Sequence, residues 1–315
     1  MTDTQNEVFK TPVNKIRLFE HGAPGSQNLK LTRKYYTEDM PDGRVKHIVQ
    51  NITDPDIVPY MPDGIGNSTD RQRIPAVLII PGGAFRRLVY NFEGEDVAKW
   101  LNSMGIAAFV LECRLPSDEH DNAEDVPLID AMRAMRVIRG RAQEFGIDEA
   151  KIGVMGFSAG GFMAALLSTA YESDVYADYK YKDEYDKLSA RPDFAVCSYP
   201  VISIDDCIEA GKRYMSEEQV LERISDSKAK ILHKYNPDKL VRPDMPPVFI
   251  CETDDDRTTL SENSVGFYMA ARKAGVSAEL HIFRTGGHGY GCGDDFAQTG
   301  EWKVLFTKWI KSIGI

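Results

Sequence analysis

From residue 76 onward, short apolar runs alternate with longer amphipathic stretches. Six of these runs have the length and composition of buried strands: AVLII, IAAFVLEC, KIGVMGF, PDFAVCSYPV, PPVFICET and AELHIF. Continuous apolar strands separated by helices are typical of a parallel sheet that helices cover on both faces. The pattern therefore predicts a mostly parallel α/β fold, and 315 residues with 43% hydrophobic content suffice for one large core.

The intervals between these runs have helical periodicity. The clearest example is PLIDAMRAMRVIRGRAQEFG, which begins with Pro127 and ends with Gly146, as helix ends favour. One face of this segment is apolar and consists of Leu128, Met132, Met135, Ile138 and Ala142. Further helices are predicted for GEDVAKWLNSMG, SAGGFMAALLSTAY, SENSVGFYMAARKAG and EWKVLFTKWIKSIG.

Two parts of the chain lie outside this alternation. In residues 1–75, the segments KIRLFEH, VKHIVQNIT and DIVPYMP are predicted as short, turn-linked strands that form an antiparallel edge of the sheet. Residues 171–190 and 204–236 are polar insertions on either side of the fourth apolar strand, and we expect them to form a small cap near the pocket. We predict a single domain that spans residues 1–315.

Charge and composition narrow the expected partners and the location. A net charge of −10 argues against nucleic acid and anionic membrane surfaces as partners. The N-terminus MTDTQNEVFK lacks a targeting pattern and no apolar stretch could span a bilayer, so a cytoplasmic protein is expected, and a homo-oligomer is compatible with the sequence. The five cysteines, at positions 113, 197, 207, 251 and 292, lack CxxC spacing. Cys113, Cys197 and Cys251 lie in apolar runs and are expected to be buried reduced thiols.

The segment KIGVMGFSAGG, residues 151–161, carries the strongest chemical signal. Ser158 stands between Gly156 and Gly160 where a buried strand turns directly into a helix. A Gly-x-Ser-x-Gly motif at such a junction is a nucleophile elbow, in which side chains at the two glycine positions would collide with the backbone. The strained turn exposes the serine Oγ, and the helix N-terminus favours developing negative charge.

An activated serine needs a base and an acid that orients the base, which in this arrangement follow the serine along the chain. His281 lies within the alternating strand AELHIF and reads as a sheet histidine. His288 lies in TGGHGYG, a glycine-rich loop after the last strand, and is the predicted base. The acid is expected after the preceding strand, where the spacing leaves open a choice among Asp254, Asp255 and Asp256.

Backbone N–H groups must stabilise the oxyanion that forms when the serine attacks. The N–H of Ala159, directly after the serine, is the expected first donor. The second donor is expected in IIPGGAF, residues 79–85, where Gly82 and Gly83 allow the backbone to approach a substrate closely. No metal or other cofactor is expected, because no ligand cluster has metal spacing, although the run of Asp254–Asp256 could suggest one.

With these motifs, the chain resembles the α/β-hydrolase superfamily in its acetylesterase and acetyl-xylan-esterase-like branch, which is similar to hormone-sensitive lipase. The matching segments lie between residues 45 and 310 and include AVLIIPGGAF, KIGVMGFSAGG and AELHIFRTGGHGYG. The resemblance implies Ser158 as nucleophile, His288 as base and Asp256 as acid, with Asp255 as the alternative. It also implies that the N–H groups of Gly83 and Ala84 join that of Ala159 in the oxyanion hole.

Three departures from the pattern of this branch stand close to the predicted site. Thr259-Leu260 replaces a Val-Pro pair, Ala84 replaces a glycine that is often third in its loop, and Cys113 replaces an aromatic residue.

The resemblance implies a serine carboxylesterase that acts on a small-molecule ester. The expected reaction is deacetylation of short acyl esters, such as acetylated sugars or xylo-oligosaccharides, through an acyl-enzyme. A serine peptidase of the oligopeptidase type is the first alternative, although about 75 residues are too few for the N-terminal propeller of such enzymes. A binding protein that has lost catalysis is the second alternative.

Overall fold

A central sheet of eight strands and a smaller sheet of three strands form the core of the computed structural model. It describes residue 9 and residues 13–64, 73–216, 218–220, 227–293 and 298–315. The strands of this described part are β1 (Ile16–Arg17), β2 (Lys34–Asp39), β3 (Val45–Gln50), β4 (Asp56–Tyr60), β5 (Ile74–Ile80), β6 (Leu88–Val89), β7 (Ala107–Glu112), β8 (Ile147–Phe157), β9 (Ala195–Ser198), β10 (Val248–Thr253) and β11 (Ala278–Phe283).

The central sheet has the strand order β1-β4-β7-β5-β8-β9-β10-β11. Strands β7, β5, β8, β9, β10 and β11 pair in parallel, and they coincide with the six apolar runs of the sequence. At one side of the sheet, β4 pairs antiparallel with β7, and β1 pairs antiparallel with β4. The prediction of a mostly parallel sheet with an antiparallel N-terminal edge is confirmed.

The smaller sheet differs from the sequence-based expectation. Strands β2, β3 and β6 pair antiparallel in a sheet of their own, so β3 is not part of the central edge. The sequence KYYTED of β2 was not predicted as a strand, because its residues are polar or half-exposed on both faces. Strand β6 follows the segment PGGAF, and Val89 N donates to Gly82 O at 2.9 Å, so this sheet holds that segment in place.

Helices cover both faces of the central sheet. The helices of the described part are α1 (Asp96–Ser103), α2 (Val126–Gly140), α3 (Ala142–Phe145), α4 (Ala159–Ala170), α5 (Ile204–Tyr214), α6 (Ser227–Lys234), α7 (Ser261–Lys273) and α8 (Trp302–Ser312). Helices α1 and α8 meet through Trp100 and Trp302, whose ring centroids are 4.9 Å apart, whereas α2 packs against α4. Within the described ranges, no helix combines the length and the apolar character that a bilayer crossing requires.

The two insertions occupy different parts of the molecule. Residues 171–190 begin at the carboxyl end of α4, about 18 Å along that helix from Ser158. They pack over α2, where Arg133 binds Asp183 and Asp186. The expectation that this insertion lies near the pocket stays a prediction.

The second insertion follows β9 at the carboxyl edge of the sheet. In it, Lys234 and Tyr235 bind Asp125 at the start of α2. Residues 217 and 221–226 of this insertion lie outside the described residues.

Four of the five cysteines are buried and form no disulfide bond: Cys113, Cys197, Cys251 and Cys292. The side chain of Cys207 lies outside the described part of the chain.

A buried ion pair joins the loop after β7 to helix α2. Arg114 Nη2 lies 2.6 Å from Asp130 Oδ1, and both side chains are inaccessible to solvent. The Arg114 guanidinium also donates to Ser26 Oγ at 2.8 Å, so the pair anchors the N-terminal segment to the core. Removal of either side chain would leave the other as an uncompensated buried charge.

We expect Asp130→Ala to lower the free energy of unfolding by about 3–5 kcal/mol, because the Arg114 charge would lose its buried partner. Glu144→Ala is the matched control, since Glu144 pairs with Arg141 but its side chain is 56% exposed. The control should cost less than about 1 kcal/mol. Urea unfolding of both variants measures the difference, and equal losses would contradict the structural importance of the buried pair.

Candidate active site

Ser158 occupies the turn between β8 and α4 and has a backbone conformation that non-glycine residues rarely adopt, with φ 52° and ψ −118°. A Cβ atom at position 156 would lie 1.9 Å from Gly160 O, and one at position 160 would lie 1.9 Å from Ile80 O. Glycine is therefore required at both positions, as the motif indicates. The turn is fixed further by the bond from Ser158 N to Ser198 O, at 3.0 Å.

The structure brings the three predicted triad residues into one chain of hydrogen bonds. His288 Nε2 lies 2.8 Å from Ser158 Oγ, and His288 Nδ1 lies 2.6 Å from Asp256 Oδ2. Along the chain, His288 lies 130 positions from Ser158 and 32 positions from Asp256. The geometry is that needed for a serine, a general base and an orienting acid, while the catalytic roles stay predictions.

The carboxyl group of Asp256 is buried and held by several donors. Its Oδ1 accepts from the backbone amides of Thr258, at 2.7 Å, and Thr259, at 3.0 Å. Its Oδ2 accepts from Thr259 Oγ1 at 2.9 Å, so the threonine that replaces the expected valine contributes a donor. Burial alone would raise the pKa of Asp256, but His288 and these amides outweigh it and lower the pKa. Asp256 is thus held as a carboxylate.

The other two acids of the run have different environments. Asp254 and Asp255 are exposed, and neither contacts the imidazole of His288 in the way that Asp256 does. Asp255 Oδ1 instead accepts from Gly287 N at 2.8 Å, directly before the histidine. The geometry therefore selects Asp256 and gives Asp255 a role in holding residues 284–293, which we call the histidine loop.

Residues 82–85, which we call the oxyanion loop, lie directly beside the nucleophile. A Cβ atom at Gly82 would approach Ser158 Cβ to 2.9 Å. Gly83, Ala84 and Phe85 follow with φ angles of 138°, 57° and 61°. Successive residues with positive φ store strain and persist only where surrounding contacts fix them. Ala159 begins α4, where the first amides lack intrahelical partners and are free to bind an oxyanion.

Two buried residues beside this loop were not singled out from the sequence. Glu93 Oε2 accepts from Gly82 N at 2.8 Å, and Glu93 Oε1 accepts from the hydroxyl of Tyr199 at 2.8 Å. Burial raises the pKa of Glu93, and the Tyr199 hydroxyl, the His288 charge and the Gly82 amide offset this only in part. In the sequence, Glu93 precedes a helix among other acids and resembles a solvated residue, so no local signal identifies it.

A small apolar cavity of about 10 Å³ adjoins the oxyanion loop and the start of α4. Its lining includes Gly82, Phe85, Leu115, Ala159 and Met163. A volume of this size holds roughly one water-sized group. Among the described residues, no group of three or more His, Cys, Asp or Glu side chains is arranged to hold a metal ion.

Two features together define an α/β hydrolase. One is a mostly parallel sheet with helices on both faces, and the other is a serine in a strand-to-helix elbow that bonds a histidine, which in turn bonds an aspartate. The sequence comparisons agree with this class. The chain belongs to the BD-FAE family, whose model matches residues 63–270.

Two curated relatives are similar in sequence to most of this chain. An acetylxylan esterase from Xylanibacter ruminicola is 31% identical over 240 residues, which are 76% of this chain and 45% of that protein. An endo-1,4-beta-xylanase B from Butyrivibrio fibrisolvens is 31% identical over 220 residues, 70% of this chain and 33% of the relative. The chain thus spans less than half the length of these two relatives.

Solved structures match over nearly the full chain. An acetyl ester-xyloside bifunctional hydrolase from Caldicellulosiruptor lactoaceticus has 34% identity and a TM-score of 0.70, with 96% of this chain and 97% of that chain covered. A carboxylesterase from Lactobacillus plantarum has 20% identity and a TM-score of 0.67, with coverage of 90% and 98%, respectively. The second likeness shows the shared fold alone.

Replacement of Gly160 tests the backbone geometry of the elbow. Gly160→Ala should lower ester turnover by at least about 10²-fold, because the new Cβ must displace the backbone that positions Ser158. Gly266→Ala is the control, since a Cβ atom there meets no atom within 4 Å. Turnover of p-nitrophenyl acetate measures both variants, and unchanged turnover in Gly160→Ala would contradict the required close approach.

Separate replacement of the two neighbouring acids tests the choice of Asp256. Asp256→Asn should reduce kcat by about 10⁴-fold, since the imidazole would lose its orienting carboxylate. Asp255→Asn keeps an acceptor for Gly287 N and should change kcat by less than about tenfold. Steady-state kinetics of the two variants decide the assignment, and the reverse ranking would identify Asp255 as the acid.

Proposed function

We propose that this protein is a serine carboxylesterase that removes short acyl groups, in particular acetyl groups on sugars or xylo-oligosaccharides. The observation that carries this proposal is the continuous hydrogen-bond chain from Ser158 through His288 to Asp256, beside a strained glycine-containing loop. The proposed partner is a small-molecule ester, and the roles of the individual residues below are part of the proposal.

The proposed reaction begins when Ser158 Oγ attacks the ester carbonyl. His288 Nε2 takes the serine proton, while Asp256 holds the imidazole at Nδ1 and stabilises its cationic form. Negative charge develops on the former carbonyl oxygen. In this proposal the amides of Gly83, Ala84 and Ala159 stabilise this charge, and loss of one such donor typically costs about 10²–10³ in turnover.

Collapse of the tetrahedral intermediate breaks the bond between the carbonyl carbon and the alcohol oxygen. His288 gives its proton to the departing alcohol, and the acyl group stays on Ser158. A water molecule then attacks the acyl-enzyme, with His288 again accepting the proton. Return of that proton to Ser158 Oγ releases the carboxylic acid and restores the enzyme.

Two observations support an acetyl group as the acyl part. The cavity beside Ala159 is apolar and has room for roughly one methyl-sized group. One relative that matches over nearly its full length is an acetyl ester-xyloside bifunctional hydrolase, and a second relative is an acetylxylan esterase. Both names support xylo-sugars as the alcohol part.

The two alternative functions lack a structural observation in their favour. Residues 13–64 contribute the strands β1 and β4 to the central sheet and β2 and β3 to the smaller sheet, an arrangement unlike the propeller of oligopeptidases. Ser158 and His288, which a non-catalytic binding protein would usually lose, are present and in contact. Both alternatives remain outcomes of the kinetic test.

We expect p-nitrophenyl acetate to be hydrolysed with a higher kcat/KM than p-nitrophenyl hexanoate, because the apolar cavity beside Ala159 is of methyl size and two relatives are named for acetyl esters. Acetate release from a panel of acetylated xylo-oligosaccharides then identifies the alcohol. Ser158→Ala serves as the control and should be inactive on every ester.

A preference for hexanoate would contradict the acetyl assignment. Cleavage of aminoacyl-p-nitroanilides without ester turnover would identify a peptidase. Absence of turnover with all these substrates in folded protein would favour the binding protein.

A further inference from the structure

The oxyanion loop is held from behind by a buried carboxyl group. Glu93 is only 5% exposed and lies in the turn that precedes α1. Its Oε2 binds Gly82 N, and a Cβ atom at Gly82 would lie 2.7 Å from this oxygen and 2.5 Å from Phe157 O. Gly82 is therefore confined between the carboxylate and the backbone of the nucleophile elbow.

Tyr199 occupies the space between Glu93 and the histidine loop. It is fully buried directly after β9, with a φ angle of 36°. Its hydroxyl donates to Glu93 Oε1 at 2.8 Å and accepts from Gly291 N at 3.1 Å. Its ring packs edge-on against the imidazole of His288, with centroids 5.0 Å apart. The Tyr199 side chain thus contacts His288, the histidine loop and Glu93, which in turn holds the oxyanion loop.

The same residue also reaches the loop that carries the acid. Thr259 Oγ1 lies 3.4 Å from Tyr199 O and 2.9 Å from Asp256 Oδ2. The histidine loop packs tightly here, because a Cβ atom at Gly291 would lie 2.6 Å from Phe92 O. Gly291, Tyr199, Glu93 and Gly82 form a second hydrogen-bond chain that runs behind the one from Ser158 to Asp256.

We propose that Glu93 and Tyr199 are positioning residues that fix the distance between the oxyanion loop and His288 during ester hydrolysis. This inference rests on the proposed esterase function. Without Glu93, the buried amide of Gly82 would lose its hydrogen-bond partner. Because an unsatisfied buried amide is unfavourable, the oxyanion loop would move to a position where this amide is hydrogen-bonded again. The loop already has three successive residues with positive φ, so it needs such external contacts to keep its shape.

The expected consequence is a loss of rate and not of substrate affinity. A displacement of about 1 Å in a positioned group can cost about 10²-fold in turnover. We expect Tyr199→Phe to lower kcat for p-nitrophenyl acetate by about tenfold, and Glu93→Ala by about 10- to 100-fold, with KM changed by less than about threefold. Tyr199→Phe removes both hydroxyl contacts but keeps the ring against His288.

Glu93→Gln separates positioning from simple packing. Its amide oxygen can accept from Gly82 N while its NH₂ group donates to the Tyr199 oxygen, so it should be at least about tenfold faster than Glu93→Ala. Tyr176→Phe is the matched control. Tyr176 is also buried, and its hydroxyl also has two partners, Arg136 and Asp186, but it lies in the 171–190 segment over α2. This control should keep the wild-type kcat.

Two results would overturn the proposal: a kcat for Tyr199→Phe and Glu93→Ala equal to that of Tyr176→Phe, or a Glu93→Gln enzyme no faster than Glu93→Ala. Thermal unfolding shows which variants are folded, and Tyr199→Phe decides the question if Glu93→Ala is not. If the wild type does not turn over the ester, the proposed function fails separately. The rate at which a fluorophosphonate modifies Ser158 in each variant then tests the positioning role.

Discussion

The site depends on the close approach of three backbone segments: the end of β5, the end of β8 and the start of α4. A Cβ atom at Gly160 would lie 1.9 Å from Ile80 O and 2.8 Å from Pro81 O, so only glycine lets α4 begin against β5. The same approach gives Ser158 its positive φ and brings Gly82 against it. The nucleophile and the loop that would hold the oxyanion are therefore placed by a single steric arrangement.

Asp256, His288 and Tyr199 lie near Ser158 because parallel strands end at the same edge of the sheet. Strand β10 leads into the loop with Asp256, and β11 leads into the histidine loop, while β9 leads into Tyr199. Hydrogen bonds from Gly287 N to Asp255 Oδ1 and from Thr253 Oγ1 to Gly287 O, the latter at 2.9 Å, fix where the histidine loop starts. Loops that are far apart in the sequence thus become neighbours through the sheet order.

The sequence predicted the parts of the structure that local chemistry determines. Five of the six parallel strands are mostly buried, and each contains a continuous apolar run. The sixth, β11, lies at the edge of the sheet, where its alternating residues are half-exposed. The elbow was identifiable because its glycines are required at fixed spacing. Strand β2 was missed because its side chains are polar and half-exposed, and the predicted strand KIRLFEH is reduced to Ile16–Arg17, since only these two residues pair with β4.

Residues that act through distant contacts could not be identified in this way. Glu93 and Tyr199 stand out only through their hydrogen bonds. They bond each other, and they bond Gly82 and Gly291, which lie on other elements. The spacing left three aspartates open as the acid, and it is burial and the contact with His288 that distinguish Asp256. The 171–190 segment begins after α4, but nothing in its composition indicated that it packs over α2.

The central claim is that contact with His288 activates Ser158. Intact-mass measurement of covalent modification by a fluorophosphonate, followed by peptide mapping, tests this claim most directly. We predict one adduct on the wild-type protein, located on Ser158, and modification slower by at least about 10³-fold in His288→Ala. Absence of an adduct on folded wild-type protein, or equal rates for the two proteins, would contradict it.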